Sequence, residues 1–443
     1  MQMRKRWKWI PPHISHLLDA RHGEVLAPIR SELFGCAHFE QYGMTLGGAH
    51  AVGRPRFGQA TFYPRLENNL RSLRTSFRYI AGLHQEGHEL GSGAEWLFDN
   101  FHLIEDQLRE ISEGLSTRYY RSLPVLQEAP LTGLPRIYQV AWSFVAHTDG
   151  AFDESLLTCF LDAYQSKSEL SQGELWALPT TLRVILVENL RRLAERIACQ
   201  AAAKEVAILA AGHIDRLDAA GFHEIHRLMQ LRGVGQVFLS HLAQTLFGHR
   251  SVFSDGAYMQ IEEWLRSAVP DLAALQVQQH ADSAADHLSV GNAVASLRLV
   301  GAGDWPGIVG RTSLVVRALQ ASPVFLAEDD ASRNTTLHGI ERLAARSPDR
   351  SEAAVARALI RLMGQSQGAA QLAGYWLQGE GRAQLEDMFG ARRPLADRWY
   401  AILLLSRTVT YIGAVVAASL ALVKISAACF RVGKSSGVYC MRR

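Results

Sequence analysis

Histidines and carboxylates at ligand-like spacings are the first residues to weigh. His84 and His88 are four apart, the separation that puts two imidazoles on one helical face, as helical zinc sites require. Their intervening acid, Glu86, is one place out of the H-E-x-x-H order, and no third ligand is evident. His223 and His226 are three apart with Glu224 between them. Both pairs read as exposed or core histidines. Glu95, Asp99, Glu105 and Asp106 suggest paired carboxylates for acid/base chemistry on a glycosidic bond, but all fall on the polar side of one amphipathic pattern and read as a solvated face. Asp329-Asp330 stands beside a helix start and reads as a cap. Gly47-Gly48 and Gly91-Ser92-Gly93 read as turns rather than phosphate cradles, and neither G-x-S-x-G nor a Walker A string occurs. No catalytic, cofactor-binding or metal-binding set is assigned.

Two basic-aromatic runs remain. Arg118-Tyr119-Tyr120-Arg121 has the composition to stack on sugar or meet an anion, and equally to pack on a neighbouring element. Arg4-Lys5-Arg6-Trp7-Lys8-Trp9 suits anionic lipid headgroups or a disordered terminus.

Helical signals position these residues nearly end to end. Ser92 and Glu95 form an S-x-x-E capping box. Leu97, Phe101, Ile104, Leu108 and Ile111 then make one apolar stripe, and Gly114 stops the helix. Leu66, Leu70, Leu73, Phe77 and Ile80 mark a helix over Arg65–Leu83. Pro135 is placed as the first residue of a helix ending before Asp149-Gly150, and Asp153 caps the next. A second capping box, Ser171 with Glu174, opens a long helix that Pro179 should kink or restart. Glu188 and Arg192 read as a solvent-side i,i+4 pair. Further helices are predicted over Ala202–Phe247, Ser289–Val300, Thr312–Leu319 and Thr336–Ala345, and after Ser351. Period-two alternation is scarce, so no sheet is expected. The fold class is all-α, a helical bundle or solenoid-like region.

The chain has 443 residues, 48% hydrophobic and 20% charged, enough for two or three domains with cores. A formal charge of +3 with Lys and Arg dispersed argues against nucleic acid as a partner. Five cysteines, far apart and without C-x-x-C, favour reduced thiols and a cytoplasmic face. Pro11 and Pro12 replace the apolar core that a cleaved signal peptide needs. Thr408–Val423 is uncharged, and with flanks from Trp399 to Phe430 it reaches the roughly 20 residues of a bilayer span. Arg407 and Lys424 are placed to snorkel at its edges. The organisation read from these features is a basic arm at 1–30, helical regions at 31–275 and 276–395, a transmembrane segment with flanks at 399–430 and a tail at 431–443. The polar stretch Gln276–His287 marks the internal boundary.

Several long strings, in order, resemble the N-terminal region of cyclic β-1,2-glucan synthases. They are ELFGCAHFE (Glu32–Glu40), AEWLFDNFHLIEDQLREI (Ala94–Ile111), YYRSLP (Tyr119–Pro124), YQVAWSFVAHTDGAFD (Tyr138–Asp153), GELWALPTTLRVILVENLRRLAERI (Gly173–Ile197), VGNAVASLRLVGAGDW (Val290–Trp305) and DDASRNTTLHGIERLA (Asp329–Ala344). The resemblance runs from about Ser31 to Val423. It implies a helical cytoplasmic region of a bacterial inner-membrane protein, partnered by the membrane and by a family 84 glucosyltransferase domain. That domain would use UDP-glucose as donor and a divalent metal. Processive β-glucan synthases typically show D-x-D and Q-x-x-R-W; neither occurs here, and Leu395 stands where the Gln before Arg398-Trp399 would be. Arg398-Trp399 then reads as an interfacial anchor. The expectation is a scaffold or regulatory region, in a truncated or frameshifted frame or a separate subunit. The alternative is a free-standing membrane-associated helical interaction protein.

Overall fold

The computed structural model describes residues 7–19, 31–53, 62–114, 117–127, 131–214, 217, 219–248, 256–348, 351–391 and 418–422. Helices dominate these residues. The exception is a two-stranded antiparallel ribbon, β1 (Val52–Gly53) against β2 (Val125–Leu126). Two compact units divide between Ala318 and Leu319.

The first unit is built around helix α8 (Gln172–Ala211). Its 40 residues extend about 60 Å at 1.5 Å per residue. The capping box forms as predicted: the Ser171 hydroxyl accepts from the Glu174 N–H, and the Glu174 carboxylate accepts from the Ser171 N–H at 3.0 Å. Pro179 does not restart the helix, which runs through it. Apolar residues face every direction, from Leu182 and Leu193 to Ala207, because this helix is enclosed by its neighbours. Around it pack α3 (Phe62–Gln85), α4 (Ser92–Gly114), α6 (Arg136–His147), α10 (Gly235–Gly248) and α12 (Leu272–Ala302).

Helix α4 buries the whole predicted stripe, Leu97, Phe101, Ile104, Leu108 and Ile111. Its first bonds go to the Gly91 carbonyl, from the N–H groups of Ala94 and Glu95, so Ser92 begins the helix instead of preceding it. Pro135 is likewise the cap of α6 and not its first residue. The chain then turns at Asp149 and Gly150, both with positive φ, into α7 (Glu154–Gln165), where Asp153 accepts from the Leu156 N–H.

Helix α2 (Cys36–Ala49) lies on α7 at very short range. A Cβ on Gly43 would stand 2.9 Å from the Phe160 carbonyl oxygen, and one on Gly47 2.6 Å from that of Tyr164. Gly47 is therefore a helix-packing residue; Gly47-Gly48 is not a turn. Within the basic arm, Trp7 is buried and the short helix α1 (Pro12–Asp19) inserts Ile14, Leu17 and Leu18 into the core, while Arg4, Lys5 and Arg6 lie outside the described residues. Gln276–His287 lies inside the continuous helix α12.

The second unit packs Asp330–Arg346, Glu352–Gln365, Ala373–Leu377 and Arg382–Met388 around Ile340, Val355, Leu359, Trp376 and Leu385. Asp329 caps the first of these, accepting from the Ser332 N–H at 2.6 Å, and Ser351 caps the second. Most of the predicted transmembrane segment lies outside the described residues, as does Arg398-Trp399. Among the described residues no helix is long and apolar enough to cross a membrane, and 418–422 are helical.

Candidate functional site

Two buried ion clusters tie helices of the first unit to α8. Glu174 has a second task besides capping. Arg136 donates to its two oxygens, from Nε at 2.8 Å and from one terminal nitrogen, and also to the Ser168 hydroxyl and the Glu169 carbonyl. Nearby, the His50 Nδ1 lies 2.7 Å from the Tyr164 hydroxyl. Burial, with the Arg136 charge, pushes His50 down to about 4, so its ring is neutral at pH 7.

Glu188 is the centre of the other cluster. It accepts from Arg65 Nε at 3.1 Å, from Asn69 at 3.2 Å and from the Tyr138 hydroxyl at 2.5 Å. Burial raises the carboxyl pKa, but the Arg65 hydrogen bonds and charge outweigh it and leave Glu188 below the usual carboxylate range. This overturns the reading of Glu188 and Arg192 as a solvent-side pair, because helix α8 has no such side at Glu188.

Toward the C-terminal end of α8 opens a cleft of about 480 Å³. Its walls are the N-terminus of α4, the C-terminal half of α8, α10 and the first half of α12. Gly93 allows α4 to approach, since a Cβ there would stand 3.2 Å from the Ile197 side chain. The polar stretch that reads as the internal boundary supplies one wall through Gln276, Gln279, His280 and Asp282. Gln279 ties that wall to α10 by donating to the Gln236 carbonyl. Asp286, at the inner end, pairs with Arg196. Lys204 and His241 face the opening from α8 and α10. Lys204 has no hydrogen-bond or ion-pair partner among the described residues, and desolvation lowers its pKa. Desolvation and the neighbouring Lys204 hold His241 at about 4. The lining can donate and accept hydrogen bonds to a small polar molecule, with the positive end of α4 and Lys204 offset by Glu89 and Asp282.

The weighed residues mostly stay apart. His84 packs against Phe98 with the rings tilted, while His88 lies beyond the end of α3 near Glu86. His223 and His226 both contact the Trp264 ring. Glu95, Asp99, Glu105 and Asp106 are exposed on α4. Tyr119 and Tyr120 pack on α8, donating to the carbonyls of Gly173 and Ala177. Among the described residues one group brings three possible metal donors together, Cys36, Glu40 and Cys159. The two sulfurs form a disulfide, so the sequence reading of uniformly reduced thiols is corrected for this pair. Cys199 is a free thiol in the core, raised to about 11 by burial.

Fold and site define an all-α protein organised on a buried central helix, with a polar cleft beside it. Over 383 residues, 84% of the chain, it is 30% identical to the cyclic beta-(1,2)-glucan synthase NdvB of Rhizobium meliloti (strain 1021). That similarity relates the chain to the cyclic β-1,2-glucan synthases. The matched region is 13% of that protein's length, so the chain spans a small part of its relative. No protein-family model matches the chain.

Proposed function

We propose that this chain is a helical scaffold or regulatory region of a membrane cyclic β-1,2-glucan synthase. The transferase chemistry itself is carried by residues outside these 443. The observation that carries this reading is the 30% identity over 84% of the chain to part of NdvB. The absence of D-x-D and Q-x-x-R-W supports placing the UDP-glucose and metal chemistry elsewhere. Buried ion clusters that tie the helices together, without a convergent acid/base pair in the cleft, suit a docking platform. The apolar run Thr408–Val423 supports attachment to the bacterial inner membrane, with the helical region on the cytoplasmic side.

The test has three arms. Purified full-length chain incubated with radiolabelled UDP-glucose and a divalent metal should make no β-1,2-glucan. It should co-purify with the transferase region of a cyclic β-1,2-glucan synthase when the two are co-expressed. Glucan made by the chain alone would overturn the division of labour. Failure to co-purify would favour a free-standing membrane-associated interaction protein. Extraction of the full chain by carbonate, without detergent, would count against a spanning helix.

A further inference from the structure

Cys36 opens α2, Glu40 lies one turn later on the same face, and Cys159 comes from the facing side of α7. Their donor atoms all lie within 4.8 Å of one another. One Glu40 carboxylate oxygen stands 3.7 Å from the Cys36 sulfur and 3.8 Å from the Cys159 sulfur. Cys36 and Glu40 are exposed and Cys159 is half-buried, so solvent reaches the group. The backbones beneath are held by the close approach at Gly43 and Gly47. The ligand-bearing helices are thus fixed by packing before any ion arrives.

We propose that Cys36, Cys159 and Glu40 form a redox-gated site for a soft divalent cation of the zinc or cadmium type. Two thiolates and one carboxylate are a donor set that such ions accept, with water completing a tetrahedron. Metal–sulfur bonds of about 2.3 Å and metal–oxygen bonds of about 2.1 Å require sulfur–oxygen edges of about 3.6 Å. The Glu40 oxygen already sits close to that separation from both sulfurs. The sulfur–sulfur edge must reach about 3.8 Å, which side-chain rotation supplies once the disulfide opens, because the Cα atoms are 6.1 Å apart. Opening consumes a dithiol reductant: the S–S bond breaks, each sulfur takes up a proton, and the reductant leaves as its disulfide. Binding then releases both thiol protons as the metal–sulfur bonds form. The oxidised state holds no cation because the thiolate is the metal ligand, and the sulfurs of a disulfide carry no negative charge.

Cadmium titration of the full chain tests this, read by the ultraviolet thiolate-to-cadmium charge-transfer absorption. Chain reduced with a phosphine and freed of excess reductant should bind one equivalent, and oxidised chain should show no band. The band should survive in C429S/C440S and disappear in Cys36→Ser and in Cys159→Ser. Glu40→Gln replaces a charged ligand by a neutral amide; loss of even an outer-shell partner costs metal sites about 10–100-fold in affinity, so binding should weaken at least about tenfold. Absence of the band in reduced chain, its persistence in both cysteine variants, or unchanged affinity in Glu40→Gln would each overturn the site. Cys36 and Glu40 are exposed and Cys159 is half-buried at the edge of the core, and an unchanged thermal midpoint of each reduced variant excludes misfolding as the cause of a lost band.

Discussion

Arg65 clamps Glu188 with two hydrogen bonds, Nε to one carboxylate oxygen at 3.1 Å and a terminal nitrogen to the other at 2.5 Å. They are 123 residues apart, and the clamp fixes α3 on the central helix. Glu188→Gln keeps the shape but removes the charge that balances Arg65. Breaking a buried pair costs about 3–5 kcal/mol. The Arg65 side chain retains 26% of its exposure, so the expected cost is about 3 kcal/mol, the low end of that range. Chemical denaturation at neutral pH checks it.

Phe101 stacks on Phe77 with ring centroids 3.6 Å apart and planes 5° from parallel. Phe101→Ala removes that ring from the centre of the buried stripe of α4. The expected loss is about 3–5 kcal/mol. Asp99→Ala, on the exposed face of the same helix, should change stability by no more than about 0.5 kcal/mol. Thermal melts of the two variants should differ clearly.

Gly47 and Gly48 are neighbours with opposite tolerance. Gly47→Ala drives a methyl into the Tyr164 carbonyl and should cost about 1–3 kcal/mol as α2 is pushed off α7. A Cβ on Gly48 meets nothing within 4 Å. Gly48→Ala should therefore stabilise the helix by up to about 1 kcal/mol. Shifts of the thermal midpoint in opposite directions are the expected outcome.

His50 and His241 each fall to about 4 in the fold from an ordinary 6.5. As pH drops, the unfolded chain takes up these protons first. Their contribution to stability is complete above about 6.5, and it declines until the folded rings also protonate near 4. The thermal midpoint should thus fall steadily across that window. His50→Gln should flatten the slope, and a wild-type slope in that variant would reassign the titration. Glu188 acts lower still, its contribution being lost only as pH falls through its depressed folded pKa.

Local sequence determined most helices and their starts. The stripe Leu97–Ile111 and the caps Asp153, Ser171, Asp329 and Ser351 depend on residues within a few places of one another, and all were legible. The family relation was legible for the same reason, since long ordered strings survive without any knowledge of contacts. Tertiary structure decided the rest. Glu188 and Arg192 look like a surface pair until α3 and α6 cover that face of α8. Pro179 reads as a kink or a restart, yet one helix packed along its length by neighbours runs through it. Gln276–His287 is polar enough to read as a boundary, but it lies within α12 and supplies one wall of a cleft whose other side is α8 and α10. Cys36 and Cys159, separated by 123 residues, meet only because Gly43 and Gly47 allow two helices to touch backbone to backbone. Sequence patterns report which residues share a helix face; which face another helix will cover is set by long-range packing, and that decides whether a charge is solvated or clamped.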